Sequence, residues 1–157
     1  MTAPADIRTG VKNEESVATA LSSALGDTYR LMVKTHIYHW NLEGPQFFSI
    51  HKLTEGQYED LFKATDVMAE RIRALGVKAP DTVEDLISGN VIGATQRTSD
   101  IPTLVKDLAD DHERLALRMH AVIRVAEAQN DAVTADLITA RSSFHEQAAW
   151  MLRASQG

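Results

Sequence analysis

Residues Lys34 to His51 have the sequence KTHIYHWNLEGPQFFSIH, and the middle of this stretch decides how the chain folds. Asn41 to Pro45 (NLEGP) combine a turn-forming Asn with a Gly and a Pro, and Pro suits the first turn of a following helix. We therefore predict a short reversal between two helices. The helix before it extends from about Glu14 to Trp40, where apolar residues recur every three or four positions. These residues are Val17, Leu21, Leu25, Tyr29 and Met32.

The helix after the reversal is predicted to extend roughly from Pro45 to Leu75, with Gly76 as its C-terminal stop. Residues 76 to 100 contain Pro80, Gly89 and Gly93, which indicates a crossover connection instead of a long helix. Within this connection, Thr82 is placed to cap a short helix that ends at about Ser88.

Two further segments have helical periodicity, from Ile101 to about Ala128 and from Val133 to about Ala154, and strand-type alternation is nowhere sustained. Four long helices with a short first loop, a long middle crossover and a short last loop predict an all-α, ferritin-like four-helix bundle. A short extra helix lies in the crossover between helices 2 and 3. We assign the bundle domain to residues 14–157 and a short N-terminal tail to residues 1–13.

The composition limits the chemistry that the chain can carry. The chain has 157 residues, no cysteine and a formal net charge of −6. Because thiolates are absent, any metal must be held by His and carboxylate, which favours iron, manganese or another hard cation. The negative charge attracts cations and repels nucleic acid. Residues 1–20 carry a net charge of −1, so direct DNA binding through this tail is not expected.

The N-terminal sequence MTAPADIRTG lacks the apolar stretch of a signal peptide. Nowhere does the chain contain a run of about eighteen apolar residues, which is what a membrane-spanning helix needs. We therefore expect a cytoplasmic protein with no membrane partner. Association with the nucleoid stays open.

Two pairs of potential metal ligands lie on the second helix at i, i+4 spacing: His51 with Glu55, and Asp66 with Glu70. At about 100° per residue, all four share one face, which is not the apolar face of this helix. About 22 Å of helix axis separates His51 from Asp66, so one subunit cannot bring both pairs to one ion. An antiparallel copy of the helix, related by a two-fold axis near residues 60 and 61, would place one pair opposite the other.

Other features of the sequence support this hypothesis or argue against it. Phe48 and Phe62 lie on the same face and supply apolar surface for the contact. However, acidic residues at this spacing on a long helix are also typical of a solvated face. His39 continues the apolar stripe of the first helix, where a histidine is more often part of the core than a ligand. Core or surface roles are also assigned to the histidines without a carboxylate at a suitable spacing, which are His36, His112, His120 and His145.

The segment from Lys34 to His51 is followed by Glu55 and by DVMAERIRALG from Asp66 to Gly76. Together with AWMLRA from Ala149 to Ala154, these segments resemble the signature of the Dps family, the DNA-binding proteins from starved cells. The resemblance covers nearly the whole chain. In that family an iron-oxidising centre lies between two subunits.

The resemblance implies a specific ligand set. His39, His51 and Glu55 of one chain would bind iron together with Asp66 and Glu70 of its two-fold mate. Asp is common in this family at the position of Glu55. The extra methylene of Glu would shift the position of a second metal ion without removing a carboxylate. This ligand set agrees with the two-fold arrangement expected from the spacing.

The resemblance also suggests roles for residues outside the ligand set. Trp40 is most simply an amphipathic anchor at the end of the first helix. Similarity to the family implies that it also lies close to the iron and receives oxidising equivalents. The same similarity places a three-fold channel near the start of the last helix, where Glu127, Asp131 and Asp136 would line a negative pore. Acidic residues at that place are equally explained as partners of the helix macrodipole.

The implied function is that of a ferroxidase and iron-storing cage protein that protects the cell and its DNA from peroxide damage. Ferrous iron is the substrate and ferric iron the product, with hydrogen peroxide as the oxidant and no organic cofactor. The implied assembly is a homo-oligomer, a dodecamer built from two-fold dimers. Two other functions stay open: a nucleoid-associated, DNA-compacting cage with a minor iron role, and a helical oligomer that binds metal without turnover.

Overall fold

A computed structural model describes residues 7–157, and this part of the chain is helical. It contains no strand, only one isolated bridge between Glu43 and Asp100. The all-α prediction and the short helix in the crossover are therefore confirmed. The helices in chain order are α1 (Glu14–Asn41), α2 (Phe47–Ala74), α3 (Val83–Leu86), α4 (Ile101–Ala128) and α5 (Ala132–Ala154).

The four long helices pack as two hairpins. α1 packs against α2, and α4 packs against α5; α1 also contacts α4, and α2 contacts α5. Because the connections within each hairpin are short, the two helices of a hairpin are antiparallel. Residues from all four helices close the core, including Leu21, Leu61, Leu115 and Ile138, which are fully buried.

The helix ends follow the capping residues. Asp100 accepts a hydrogen bond from the Thr103 amide at the start of α4, and Thr82 accepts one from the Asp85 amide at the start of α3. Gly76 has φ +79°, the left-handed conformation expected of a residue that follows a helix. α2 begins at Phe47 instead of the predicted Pro45, because the residues before it still belong to the turn.

The crossover is fixed to the bundle by a buried charge. Lys34 on α1 lies 2.5 Å from Asp111 and 2.7 Å from Asp107, both on α4. The Lys34 ammonium also donates to the carbonyl of Gly93, at 3.1 Å. The Gly93 amide in turn donates to Asp111. These bonds hold this part of the crossover against α1 and α4.

The predicted tail of residues 1–13 lies only partly within the described residues, which begin at Ile7; residues 7–13 precede α1 and are not helical. In the part of the chain that the structure describes, no helix has the length and apolar character needed to span a bilayer.

Candidate metal centre

Two histidines meet where α1 ends and α2 begins. The rings of His39 and His51 stack at a centroid distance of 3.7 Å with an angle of 15° between their planes. Nδ1 of His39 lies 2.9 Å from the carbonyl oxygen of His51, and Nδ1 of His51 lies 2.9 Å from the carbonyl oxygen of His39. Because a carbonyl only accepts, each Nδ1 donates its N–H to the carbonyl, and in each ring Nε2 is the nitrogen left to bind a metal.

The short reversal produces this arrangement. It brings the last turn of α1 beside the first turn of α2, so that each backbone orients the other helix's imidazole. Thr54, fully buried on α2, adds a contact of 3.2 Å between its hydroxyl oxygen and Nδ1 of His39. Burial lowers the pKa of His39, which keeps the ring neutral and able to bind a metal.

Glu55 lies one turn after His51 and is half-buried. Its carboxylate accepts a hydrogen bond from the Lys52 ammonium at 2.8 Å, and this bond lowers the pKa of Glu55. The carboxylate is therefore ionised and on the same side of α2 as the histidine pair. Lys52 occupies one of its oxygens and would have to move for Glu55 to bind a metal with both.

Asp66 and Glu70 lie on the same helix but are exposed and remote from the histidine pair. Among residues 7–157 of a single chain, no group of three or more His, Asp or Glu side chains is placed to hold a metal ion. The structure brings the rings of His39 and His51 together, places Glu55 one turn further along α2, and leaves Asp66 and Glu70 as a separate, exposed pair. One chain therefore does not assemble the predicted ligand set by itself, and that set stays a prediction.

An aromatic group borders the histidine pair, and sequence reasoning missed two of its members. Trp40 is 60% exposed, and its ring lies 4.1 Å from that of His36. The His36 ring lies 4.3 Å from that of Tyr58, which contacts His39 edge-on at 5.1 Å. Tyr58 therefore connects His36 and Trp40 with the histidine pair. The spacing of His36 three residues before His39 was the available signal, but Tyr58 is recognised only from the packing of α1 on α2.

The three predicted pore residues have different environments. Glu127 and Asp136 are exposed, as channel residues would be, and their role stays a prediction. Asp131 is 1% exposed, caps α5 through Thr134 and lies 2.8 Å from the Arg71 guanidinium. The Asp131 carboxylate is thus already paired with a cation from α2, and its role as a pore residue stays a prediction.

The remaining histidines lie away from this centre. His112 and His145 are buried between α4 and α5, with their Nδ1 atoms 2.9 Å apart, so one ring donates to the other. His120 lies 3.7 Å from Glu146, a pair that the spacing could not indicate because the two residues are on different helices. None of the three contacts the His39 and His51 rings.

Comparisons with known proteins agree with this architecture. A family model described as a ferritin-like domain matches residues 18–156. An uncharacterized low temperature-induced protein of Nostoc sp. is 38% identical over 154 residues, covering 94% of this chain and 84% of that one. A DNA protection during starvation protein of Helicobacter pylori is 30% identical over 129 residues, covering 82% of this chain and 90% of that one.

Solved structures have the same fold. A Dps protein of Vibrio cholerae O1, described as one of the ferritin-like diiron-carboxylate proteins, superimposes with a TM-score of 0.85. It is 26% identical and covers 92% of this chain and 91% of that one. A Dps protein of Bacillus brevis gives a TM-score of 0.87 at 27% identity, over 92% and 97% of the two chains. The chain therefore belongs to the Dps family of miniferritins, within the ferritin-like superfamily.

Proposed function

We propose that this protein is a ferroxidase and iron-storage subunit whose iron centre is shared between two chains. His39, His51 and Glu55 of one subunit bind ferrous iron together with Asp66 and Glu70 of the two-fold mate. Hydrogen peroxide accepts the electrons and is reduced to water. The protein stores the ferric product in a dodecameric cage and so protects the cell and its DNA from peroxide damage.

The reciprocal bonding of His39 and His51 is the observation that carries the proposal. A metal-binding histidine donates the N–H of one ring nitrogen to a carbonyl or carboxylate and binds the metal through the other nitrogen. A histidine that only fills space in the core does not require this arrangement. Both histidines have this arrangement, with a carboxylate one turn away on Glu55. Two imidazoles and one carboxylate leave an ion incompletely ligated, and Asp66 and Glu70 are the unused carboxylates on the same face of α2.

The chemistry of this donor set suits iron oxidation. Carboxylate oxygens stabilise the ferric state relative to the ferrous state, which makes loss of an electron easier. Neutral imidazoles bind ferrous iron without adding charge. The net charge of −6 supports cation uptake.

Trp40 is proposed to receive oxidising equivalents that do not end on iron. Its indole is exposed and contacts His36, and Tyr58 lies between His36 and His39. A Trp40→Phe variant should bind ferrous iron like the wild type but lose the oxidised indole products found by peptide mass spectrometry after peroxide treatment. Unchanged indole in the treated wild type would contradict this role.

Complementation between two inactive variants tests the shared centre. His51→Ala removes a ligand from one half-site, and Asp66→Ala removes a ligand from the other. Each variant alone should bind no ferrous iron at the centre in anaerobic calorimetry. After dissociation and reassembly in equal amounts, about half the dimers are mixed and each has one intact centre, so about a quarter of the wild-type sites should return.

A mixture of His51→Ala with Glu55→Ala is the matched control. Both substitutions affect the same half-site, so every centre in a mixed dimer still lacks one ligand. Recovery in this control equal to that in the test mixture would contradict a shared centre. The appearance of ferric absorbance after peroxide addition, measured on the same samples, separates a ferroxidase from a protein that binds iron without oxidising it.

The remaining parts of the proposal concern assembly and DNA. A native mass near twelve subunits would support the dodecamer, and a mass near twenty-four would favour a full ferritin cage.

The relatives named for DNA protection support a protective role, which iron and peroxide removal can perform without DNA contact. The cytoplasmic location stays a prediction.

A further inference from the structure

The face of α2 that carries the ligands has two chemically different edges. At about 100° per residue, with His51 at zero, Phe62 lies near 20° and Tyr58 near −20°, whereas Glu59 lies near 80° and Lys63 near 120°. The middle of the ligand face, near 60°, separates these two pairs. One edge is therefore aromatic and the other carries opposite charges.

An open pocket of 340 Å³ adjoins the aromatic edge, where α1 meets α2. It is lined by Met32, His36, Tyr58 and Phe62, and the charged side chains of Glu59 and Lys63 also line it, so both edges of the ligand face contribute to this pocket. A cavity of about 150 Å³ is enough to hold benzene in another protein, so this pocket has room for a phenyl ring. The Phe62 side chain forms part of the pocket's own lining and is still 58% exposed, so it keeps apolar surface that a second copy of the chain could bury.

The two-fold pairing proposed above determines which residues meet. A two-fold axis that relates antiparallel helices keeps each edge on the same side in both subunits. The register that sets His51 opposite the partner's Glu70 also sets Phe62 level with Tyr58 and Glu59 of the partner. It likewise brings Lys63 level with Glu59 of the partner, on the charged edge.

We propose that Phe62 of each subunit docks into the partner's pocket beside Tyr58, and that Lys63 pairs with the partner's Glu59. This inference rests on the proposed two-fold iron centre and names the contact that holds it together. Within residues 7–157 of one chain, neither Glu59 nor Lys63 forms a salt bridge, although their i, i+4 spacing would allow one. Both charges are thus available to a second copy.

The docking contact would also support the iron centre. The pocket wall contains His36 and Tyr58, whose rings pack against each other, and Tyr58 contacts His39. A phenyl ring seated there would restrict Tyr58 and, through it, the His39 imidazole. Dimer formation would therefore both deliver the partner's carboxylates and fix the orientation of a ligand that is already present.

Charge exchange between two variants tests the contact. Glu59→Lys places two positive charges on the edge, and Lys63→Glu places two negative charges there. Each variant alone should lose dimers, because like charges then face each other across the axis. An equal mixture should form mixed dimers at least about tenfold in preference to either homodimer, as measured by native mass spectrometry, since every cross-axis pair becomes attractive.

The design separates this contact from an ordinary intrahelical pair. In each variant chain, the side chains at positions 59 and 63 have the same charge and repel each other, whether or not the other variant is present. If these two residues interacted only within one helix, mixing the variants would therefore give no preference for mixed dimers. Absence of that preference would overturn the proposal. Lys and Glu are both good helix formers, and circular dichroism of each variant checks that α2 is intact.

Truncation of Phe62 gives a second test. Phe62→Ala should raise the dimer dissociation constant at least about tenfold, as expected of a central aromatic anchor. Phe48→Ala is the matched control, because Phe48 is 71% exposed on the same face but outside the pocket. Equal weakening by both substitutions would count against docking.

Iron binding measured on the same mixed dimers distinguishes the two proposals, since neither charge variant removes a proposed ligand. Mixed dimers that form preferentially but bind no ferrous iron would leave the docking contact standing and overturn the iron centre. Ferrous binding without a preference for mixed dimers would do the reverse.

Discussion

Acidification should destabilise the bundle through the buried pair His112 and His145, and a double His112→Leu, His145→Leu variant should lose most of that effect. Burial, with a smaller contribution from the Arg141 charge, lowers the pKa of His112 to about 3 from its ordinary value of 6.5. Burial also lowers the pKa of His145, and the charges of His112 and Arg141 add to this. Both rings are therefore neutral in the folded protein at pH values where the unfolded chain is protonated.

The direction and size of this loss of stability at low pH follow from the difference in proton binding between the folded and unfolded states. Because the unfolded state binds the proton first, stability is complete above a pH of about 6.5 and falls as the pH drops from there toward about 3. A pH of about 5 is roughly 1.5 units below the pKa of His112 in the unfolded chain, and this difference corresponds to about 2 kcal/mol of lost stability. For a domain of this size, about 2 kcal/mol lowers the melting temperature by roughly 4 to 8 °C, and His145 acts in the same direction.

Thermal unfolding followed by circular dichroism at about pH 8 and about pH 5 measures this loss. The carboxylates are the same in wild type and double variant, so the difference between their pH responses isolates the histidine pair. The wild type should lose at least about 4 °C more than the variant over this interval. Equal losses in the two proteins would refute the argument that the pair is buried and neutral.

Three further predictions concern the helix ends and DNA. Asp131→Ala should destabilise the protein by about 3 kcal/mol in urea unfolding, because it leaves the Arg71 charge buried without its partner. Lys78→Ala, which breaks the exposed pair with Asp81, should change stability by less than about 1 kcal/mol, and equal effects would contradict the buried role. Gly76→Ala should cost about 1 kcal/mol through its left-handed backbone, and no change in the same assay would contradict this. Gel shifts at low salt should show no avid retention of DNA, whereas salt-sensitive retention would reveal a basic surface that the tail charge does not predict.

Helical periodicity was sufficient to predict the fold. The bounds of α4 match the predicted Ile101 to Ala128, and α5 begins one residue before the predicted Val133. The short helix in the crossover ends at Leu86 instead of near Ser88, and Ile87 is its C-cap. These elements depend on local patterns and caps, which a single sequence contains.

The candidate site was only partly predictable. Spacing along α2 showed that His51 and Glu55 share a face, but the bonds between the His39 and His51 rings and backbones require the two helices to be packed. The burial of Asp131 likewise depends on Arg71, sixty residues away along the chain. Contacts between distant segments are set by the packing of the bundle, and no local pattern specifies them.

The location of iron in crystals soaked anaerobically with a ferrous salt tests the central claim most directly. The shared centre predicts anomalous density at the iron edge between paired subunits, bounded by His51 of one chain and the partner subunit's Glu70. Iron bound wholly within one chain, or no iron beside these two residues, would contradict it.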